Sequence, residues 1–179
     1  FTKPTNQLLN AASGDFLLLL NPDTLLTEDC FTPQLDFLKE NPRVGISIPK
    51  VLNADGTFQK QCRRGEARPL EVIGYILGLG KLFPNNRELN GYLQSWLPED
   101  EVAEVKAVSG SCMFIRRKTW EAVGPFDERF FAYQEDSDYC MRAREAGWKV
   151  MYVPLSRIIH YGGKGGSGSQ PWKKIKHWH

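Results

Sequence analysis

Hydrophobic and polar positions fall into four blocks over the first fifty residues, and these blocks predict helix, strand, helix and strand. Residues 4–15 place leucines and alanines at helical spacing. Phe16–Leu20 is an unbroken apolar run, typical of a strand buried on both faces of a parallel sheet. Residues 27–42 predict a second helix and residues 43–51 a second strand. This alternation favours an α/β fold with a mixed, mostly parallel sheet and flanking helices.

The second half of the chain is patterned less evenly. Residues 69–84 predict an apolar helix with three glycines, either buried or facing a partner, and residues 82–101 predict a long irregular loop. Residues 103–117 predict two strands broken by small residues. Residues 134–147 predict a helix that is acidic at its start and basic near its end, and two further strands follow over residues 148–163.

Composition describes an ordinary globular protein and excludes several classes. The 179 residues are 41% hydrophobic and 25% charged, with a formal charge of +2, and no basic stripe is interleaved with aromatic residues. This pattern argues against nucleic-acid binding. The longest uncharged apolar run is far below the roughly 20 residues that a membrane span needs. Because the chain does not begin with Met, we interpret it as a piece of something longer.

The four cysteines are scattered and form no metal-binding pattern. We therefore expect free, mostly buried thiols in a reducing compartment such as the cytoplasm. The cysteines are Cys30, Cys62, Cys112 and Cys140.

Three polar features occur where an α/β sheet binds its ligands. Asn21-Pro22-Asp23 ends the first strand, Glu135-Asp136 begins a helix, and His160 follows a late strand. Ligands bind beyond the carboxyl ends of strands in such sheets, and a divalent ion there takes carboxylate and phosphate oxygens. Each feature also has a plain structural interpretation: a helix cap or turn at Asp23, favourable helix-end charge at Glu135-Asp136, and a satisfied, partly buried histidine.

The combination of motifs is more specific than any one of them. The stretches GDFLLLLNPDTLL, KVLNADGTFQKQCRR and the long run from VSGSCMFIRRKTWEAVGPF to SRIIHYGG resemble, in this order, the family-2 inverting glycosyltransferases of GT-A type. The rhamnosyltransferase-like branch, which builds bacterial cell-surface polysaccharide, is the most similar. The resemblance implies the C-terminal part of a GT-A (Rossmann-like) domain over residues 1–163, followed by a flexible Gly/Ser loop and basic-aromatic tail over residues 164–179.

The resemblance implies a donor site that uses a divalent metal, Mg²⁺ or Mn²⁺. Asn21 and Asp23 match the family's D-x-D motif and would contact the diphosphate of a dTDP- or UDP-sugar. Asp23 is the metal ligand in this motif, and His160 matches a late histidine that is a second candidate ligand. Asn21 departs from a literal D-x-D and leaves one fewer negative charge.

The resemblance also implies roles on the acceptor side and around the sugar. Glu135 and Asp136 match the family's acidic pair, with Asp136 the expected general base. Ser109, Gly110 and Ser111 match the small residues that line the sugar pocket. Arg63 and Arg64 match a basic pair that would face either phosphate or the surface.

The function implied is transfer of a sugar, with inversion, to a glycan or lipid-linked acceptor. The expected location is the cytoplasm, either free or peripheral on the inner face of the membrane. The alternative is a non-catalytic glycosyltransferase-like module that binds or assembles. A two-metal phosphate-ester hydrolase is less compatible, because the carboxylates do not cluster in the sequence.

In the family, the nucleotide-binding strands would come before the position of Phe1. We expect this sequence to lack them, a loss of about two βαβ steps of roughly 30 residues each. We expect Phe16–Leu20 to have an unpaired edge as a result. An open edge of this kind pairs readily with another chain, so a homodimer through the edge is our hypothesis for assembly.

Overall fold

The computed structural model describes residues 2–66, 68–83, 86–130 and 134–162. Within these ranges the helices are α1 (Thr2–Ala11), α2 (Phe31–Glu40), α3 (Pro69–Ile76), α4 (Leu79–Leu82), α5 (Arg117–Val123) and α6 (Glu135–Glu145). The strands are β1 (Phe16–Leu20), β2 (Thr24–Leu26), β3 (Val44–Leu52), β4 (Arg63–Arg64), β5 (Ala103–Glu104), β6 (Ala107–Val108), β7 (Cys112–Arg116) and β8 (Lys149–His160). The predicted order of helix, strand, helix and strand at the start of the chain is confirmed, with the short β2 added after β1.

The main sheet is mixed, with the strand order β1-β7-β3-β8-β2 and with β5 also paired to β8. Among its described strands, β3 and β8 pair in parallel and the other pairs are antiparallel. The mixed α/β architecture is confirmed, whereas the expectation of a mostly parallel sheet is wrong. The reason is β7, which runs antiparallel between β1 and β3 and separates them. An apolar run predicts a strand but does not encode which strand lies beside it.

β1 lies at one edge of this sheet and, of the described strands, pairs with β7 alone. Leu17 and Leu19 are buried, Phe16 and Leu18 are half-buried, and Leu20 is exposed. Only one face of β1 is thus fully covered, since successive side chains of a strand point to opposite faces. The predicted strand is confirmed, but the expected burial of both of its faces is not.

Aromatic packing and one buried asparagine fix the position of α6. The rings of Phe126 and Tyr139 lie 4.4 Å apart, and Trp120 packs against both. In α1, Asn6 donates from Nδ2 to the carbonyl of Phe126 and accepts from its backbone N–H, both at 2.9 Å. Both ends of this buried amide are satisfied, so α1 holds the segment that precedes α6.

The predicted apolar helix over residues 69–84 is two short helices. Gly78 separates α3 from α4 with a φ of 66°, a left-handed conformation that favours glycine. We call residues 70–83 the apolar hairpin, because most of its large hydrophobic side chains are exposed rather than buried. These side chains are Leu70, Ile73, Tyr75, Ile76, Leu77, Leu82 and Phe83.

Two further observations concern composition. All four cysteines are free and buried, as predicted. Among the described residues, none of the helices has both the length and the apolar character required to cross a bilayer.

Candidate active site

The turn Asn21-Pro22-Asp23 joins β1 to β2, the two strands at opposite edges of the main sheet. Its backbone is fixed on both sides: Asn21 N donates to the carbonyl of Ser111 at 3.0 Å, and the carbonyl of Asp23 accepts from Tyr161 N at 2.9 Å. Thr24 reinforces the turn, donating from Oγ1 to the carbonyl of Asn21 at 2.7 Å. The backbone is therefore held by the residue directly before β7 and the residue directly after β8.

The helix-cap interpretation of Asp23 is not supported by the structure. The next helix, α2, begins at Phe31, and the carboxylate that accepts from its first backbone N–H groups belongs to Asp29, at 2.9 Å from Phe31 N and 3.1 Å from Thr32 N. Asp23 instead opens the short strand β2 and faces a histidine.

That histidine is His160, the last residue of β8, which the β2–β8 register places opposite Thr24. Its Nε2 lies 3.2 Å from Asp23 Oδ1 and 3.3 Å from Asn21 Nδ2, and its Nδ1 lies 2.9 Å from Gln59 Oε1. The structure thus brings together Asn21, Asp23 and His160, which the sequence separates by 139 positions at the extremes. Gln59 joins them; it lies within the matching stretch KVLNADGTFQKQCRR, but the resemblance gave it no role.

These residues fit the metal that the resemblance implies. Two cis ligands of an octahedral ion with bonds of about 2.1 Å lie about 3 Å apart, close to the separation of His160 Nε2 and Asp23 Oδ1. A carboxylate and an imidazole suit Mn²⁺ in particular. No group of three or more His, Cys, Asp or Glu able to hold an ion occurs in the part of the chain that the structure describes. Of the residues described, Asp23 and His160 would hold the ion.

Ser109, Gly110 and Ser111 connect this turn to the start of α6. Ser111 accepts from Asn21 N, while Gly110 N donates to Asp136 Oδ2 at 3.2 Å. The hydroxyls of Ser109 and Ser111 are 2.6 Å apart and hydrogen-bonded to each other. A single segment of small residues therefore contacts the D-x-D-like turn on one side and the acidic pair on the other.

Asp136 is paired with Arg64, whose guanidinium lies 2.6 Å from Asp136 Oδ2. Both side chains are about one-tenth exposed. Burial acts to lower the pKa of Arg64, but the adjacent Asp136 carboxylate outweighs burial and holds that pKa above its ordinary value. Asp136 Oδ1 accepts from Ser137 N at 2.7 Å. The carboxylate is thus fixed in orientation and has a buried counter-ion.

Glu135 has a different environment from its neighbour. It is buried, and among the described residues its Oε2 has no hydrogen-bond partner. Burial, with a further contribution from the charge of Asp136, raises the pKa of Glu135 to about 7. Its carboxyl group therefore takes up and loses a proton near neutral pH, while Asp136 lies against a permanent cation.

Arg63 and Arg64 are adjacent in β4 but point to opposite sides. The Arg63 side chain is buried and donates to the carbonyls of Leu97 and Pro98, and its guanidinium lies 4.4 Å from the ring centroid of Tyr152. The expectation that both arginines face phosphate or the surface is therefore wrong for Arg63, because a strand directs consecutive side chains to opposite faces. Arg64 lies in the site, where its partner is Asp136.

A strained residue and a cavity lie beside the acidic pair. Gln134, directly before α6, has a φ of 70°, an uncommon conformation for a residue with a side chain. Gln134 and Ser137 help to line a cavity of about 910 Å³, and Arg68 and Pro69, directly before the apolar hairpin, line it as well. Asp23 and His160 do not line this cavity, and neither do Glu135 and Asp136. It therefore lies beside α6 without reaching either side of the site.

Gly163 and the predicted Gly/Ser loop and basic-aromatic tail at 164–179 lie outside the described residues. The domain division at residue 163 stays a prediction.

The sequence of the chain matches a protein family and several known proteins. Residues 2–177 match the profile of the family described as "Glycosyltransferase like family 2". The chain is 33% identical over 148 residues to the N-acetylglucosaminyl-diphospho-decaprenol L-rhamnosyltransferase of Mycobacterium tuberculosis, covering 82% of this chain and 47% of that protein. It is 26% identical over 153 residues to the rhamnosyltransferase WbbL of Escherichia coli K12, covering 84% and 53% respectively. The chain thus spans about half the length of these curated relatives.

The fold also matches a solved glycosyltransferase. The crystal structure of GalNAc-T7 with UDP, GalNAc and Mn²⁺ superposes with a TM-score of 0.57 at 14% identity, covering 88% of this chain and 29% of that one. At this identity the likeness concerns the fold alone, and it confirms the GT-A type predicted from the sequence. With a profile match over nearly its whole length, the chain belongs to glycosyltransferase family 2.

Proposed function

We propose that the protein containing this chain is an inverting glycosyltransferase. It transfers a sugar from a dTDP- or UDP-sugar to a glycan or lipid-linked acceptor in the synthesis of cell-surface polysaccharide. The observation that carries the proposal is the Ser109–Ser111 segment, which contacts both Asn21 and Asp136 and so brings a diphosphate-type site and an acidic pair into one site. The names of the two rhamnosyltransferase relatives support the reaction class.

In the proposed reaction Asp136 accepts the proton of the acceptor hydroxyl as that oxygen attacks the anomeric carbon. General-base help of this kind contributes about 10²–10⁴ in rate. Arg64 and Gly110 N–H hold the Asp136 carboxylate in a fixed orientation. The small side chains at 109–111 leave room for the sugar between the two parts of the site.

On the donor side, Asp23 and His160 would hold the metal, and Asn21 lies beside them. The metal, when bound, acts as a Lewis acid on the leaving diphosphate. The chain's own contribution is to place an oxygen and a nitrogen ligand at the separation that one ion requires.

Calorimetric titration of dTDP- and UDP-sugars, with and without Mn²⁺, tests this proposal on the chain and on a form extended at its N terminus. We expect metal-dependent binding in the extended form and weak or no binding in the shorter one. Absence of binding in both, with folding verified by circular dichroism, contradicts the proposal.

One observation favours the alternative of a non-catalytic binding module. Both carboxylate oxygens of Asp136 already accept hydrogen bonds, Oδ2 from Arg64 and Oδ1 from Ser137 N. A carboxylate engaged in this way serves a structural role equally well. Donor hydrolysis measured for wild type and Asp136→Asn separates the two: equal rates in both proteins, with donor binding retained, support the binding module.

The proposal extends to location at a membrane surface and to a lipid-linked acceptor. The apolar hairpin exposes large side chains and follows directly on Arg68 and Pro69, which line the cavity beside α6, so the lipid part of an acceptor would lie along the hairpin. We expect the protein to float with vesicles of phosphatidylethanolamine and phosphatidylglycerol, and Ile73→Asp with Ile76→Asp to abolish flotation. Leu8→Asp, an equally exposed leucine on α1, is the matched control and leaves flotation unchanged. Unchanged flotation of the hairpin variant contradicts this part of the proposal.

The edge of β1 supports the homodimer hypothesis, since an unpaired strand edge is a template for another chain. Light scattering at increasing concentration tests it, and a monomeric mass at high concentration contradicts it.

A further inference from the structure

Gln59 is a polar side chain of the donor side to which the family resemblance gives no role. It lies between the turn at residues 53–56 and the 3-10 turn Lys60–Cys62, and its backbone N–H donates to the carbonyl of Val51 at 2.9 Å. Its side-chain amide contacts three groups: Asn53 Oδ1 at 3.1 Å, the carbonyl of His160 at 3.4 Å and His160 Nδ1 at 2.9 Å.

Backbone carbonyls determine which way this amide points. A carbonyl oxygen only accepts, so the carbonyl of His160 requires the NH₂ end of Gln59. In the same way, the carbonyl of Phe58 lies 3.5 Å from Asn53 Nδ2 and requires the NH₂ end of Asn53. The Thr57 hydroxyl oxygen accepts from the same nitrogen at 2.9 Å. Asn53 Oδ1 is therefore the end that faces Gln59. Both constraints turn Gln59 Oε1 toward the histidine ring.

The orientation of Gln59 in turn fixes the proton on the ring. Oε1 has no hydrogen to donate, so the 2.9 Å contact forms only if His160 Nδ1 carries one. In this neutral form the other nitrogen, Nε2, carries a lone pair, which accepts from Asn21 Nδ2 at 3.3 Å. It also lies 3.2 Å from Asp23 Oδ1, so that one metal ion can contact both atoms. A free histidine in water favours the opposite neutral form, with the proton on Nε2.

We propose that Gln59 is a positioning residue that holds the proton of His160 on Nδ1 and thereby presents Nε2, together with Asp23 Oδ1, to a divalent cation. The inference rests on the metal-dependent donor site of the proposed function. It concerns a property of the metal-free chain, however, and can be tested without catalysis.

The first test is the ¹⁵N spectrum of the His160 ring in the metal-free chain at pH 8. We expect the Nδ1–H form in wild type and a shift toward the Nε2–H form in Gln59→Leu. Gln59→Glu retains an acceptor opposite Nδ1 and is expected to retain the Nδ1–H form. Gln7→Leu makes the same change at an exposed site on α1 and serves as the control for folding and for general effects. A wild-type Nε2–H form, or an unchanged ring in Gln59→Leu, overturns the proposal.

The second test is binding of Mn²⁺ alone, followed by its paramagnetic resonance signal. Residues that orient a ligating histidine typically change metal affinity about 10- to 100-fold, and we expect Gln59→Leu to lose affinity in this range. Asn53→Ala, which frees the amide of Gln59 to rotate, is expected to lose less. Equal Mn²⁺ affinity of wild type, Gln59→Leu and Asn53→Ala overturns the positioning role. A changed tautomer in a protein that binds no nucleotide-sugar instead counts against the proposed function alone.

Discussion

The two sides of the site differ in how the charge of their carboxylate is balanced. On the acidic-pair side, Asp136 already has its counter-ion in Arg64, and the pair is largely buried. On the donor side, Asp23 and His160 are held by amides and backbone groups, and they present an oxygen and a nitrogen to each other. The first side is therefore part of the folded interior, while the second is the side that we propose binds a divalent cation. Substitutions on the first side should change stability, and those on the second should change binding.

The largest effect is expected for Asp136→Ala, because it leaves the Arg64 guanidinium buried without its carboxylate. Breaking a buried pair in this way costs about 3–5 kcal/mol of unfolding free energy. Urea unfolding measures the loss. The double variant Arg64→Met with Asp136→Leu removes both charges and should recover most of it. An Asp136→Ala variant as stable as wild type contradicts the view that this side belongs to the interior.

The next effect is a pH dependence at Glu135, whose pKa is raised from 4.5 to about 7. The folded state binds this proton more tightly than the unfolded state, so the contribution is fully present below about pH 4.5 and is lost as the pH rises through about 7. Glu135→Gln should match wild type near pH 4 and exceed it at pH 8 by at most about 3 kcal/mol.

Urea unfolding at a series of pH values measures this difference. Glu145→Gln, at the exposed end of the same helix, is the control, and its difference in stability from wild type should not change with pH in this way. A pH-independent difference between Glu135→Gln and wild type refutes the assignment.

The smallest effect on stability is expected for Asp23→Asn on the donor side. The Asp23 side chain is 30% exposed, and exposed pairs contribute about 0–1 kcal/mol, so the unfolding free energy without metal should change by less than about 1 kcal/mol. Its Mn²⁺ affinity should fall instead, while Asp36→Asn on α2 leaves both quantities unchanged. A large loss of stability in Asp23→Asn would remove the contrast between the two sides.

Sequence reasoning found the strand of Phe16–Leu20, the turn after it and the acidic pair, because each has a local pattern or a family motif. It did not find the order of strands, since β7 inserts between two runs that are consecutive in the first fifty residues. It also treated Arg63 and Arg64 alike, although alternation along β4 sends one to the interior and the other to Asp136. No pattern singled out Gln59 within its matching stretch, because its proposed role depends on backbone carbonyls that only the tertiary structure brings near it.

The hydrogen bonds of Gly110 and Ser111 have a consequence for substrate size. Gly110 donates to Asp136 and Ser111 accepts from Asn21, so a single peptide unit, about 3.8 Å between Cα atoms, sets the spacing of the two sides. An insertion of one residue at this point lengthens that spacing without altering any catalytic side chain. Relatives that differ in the length of this segment are therefore expected to differ in the dimensions of the sugar they accept.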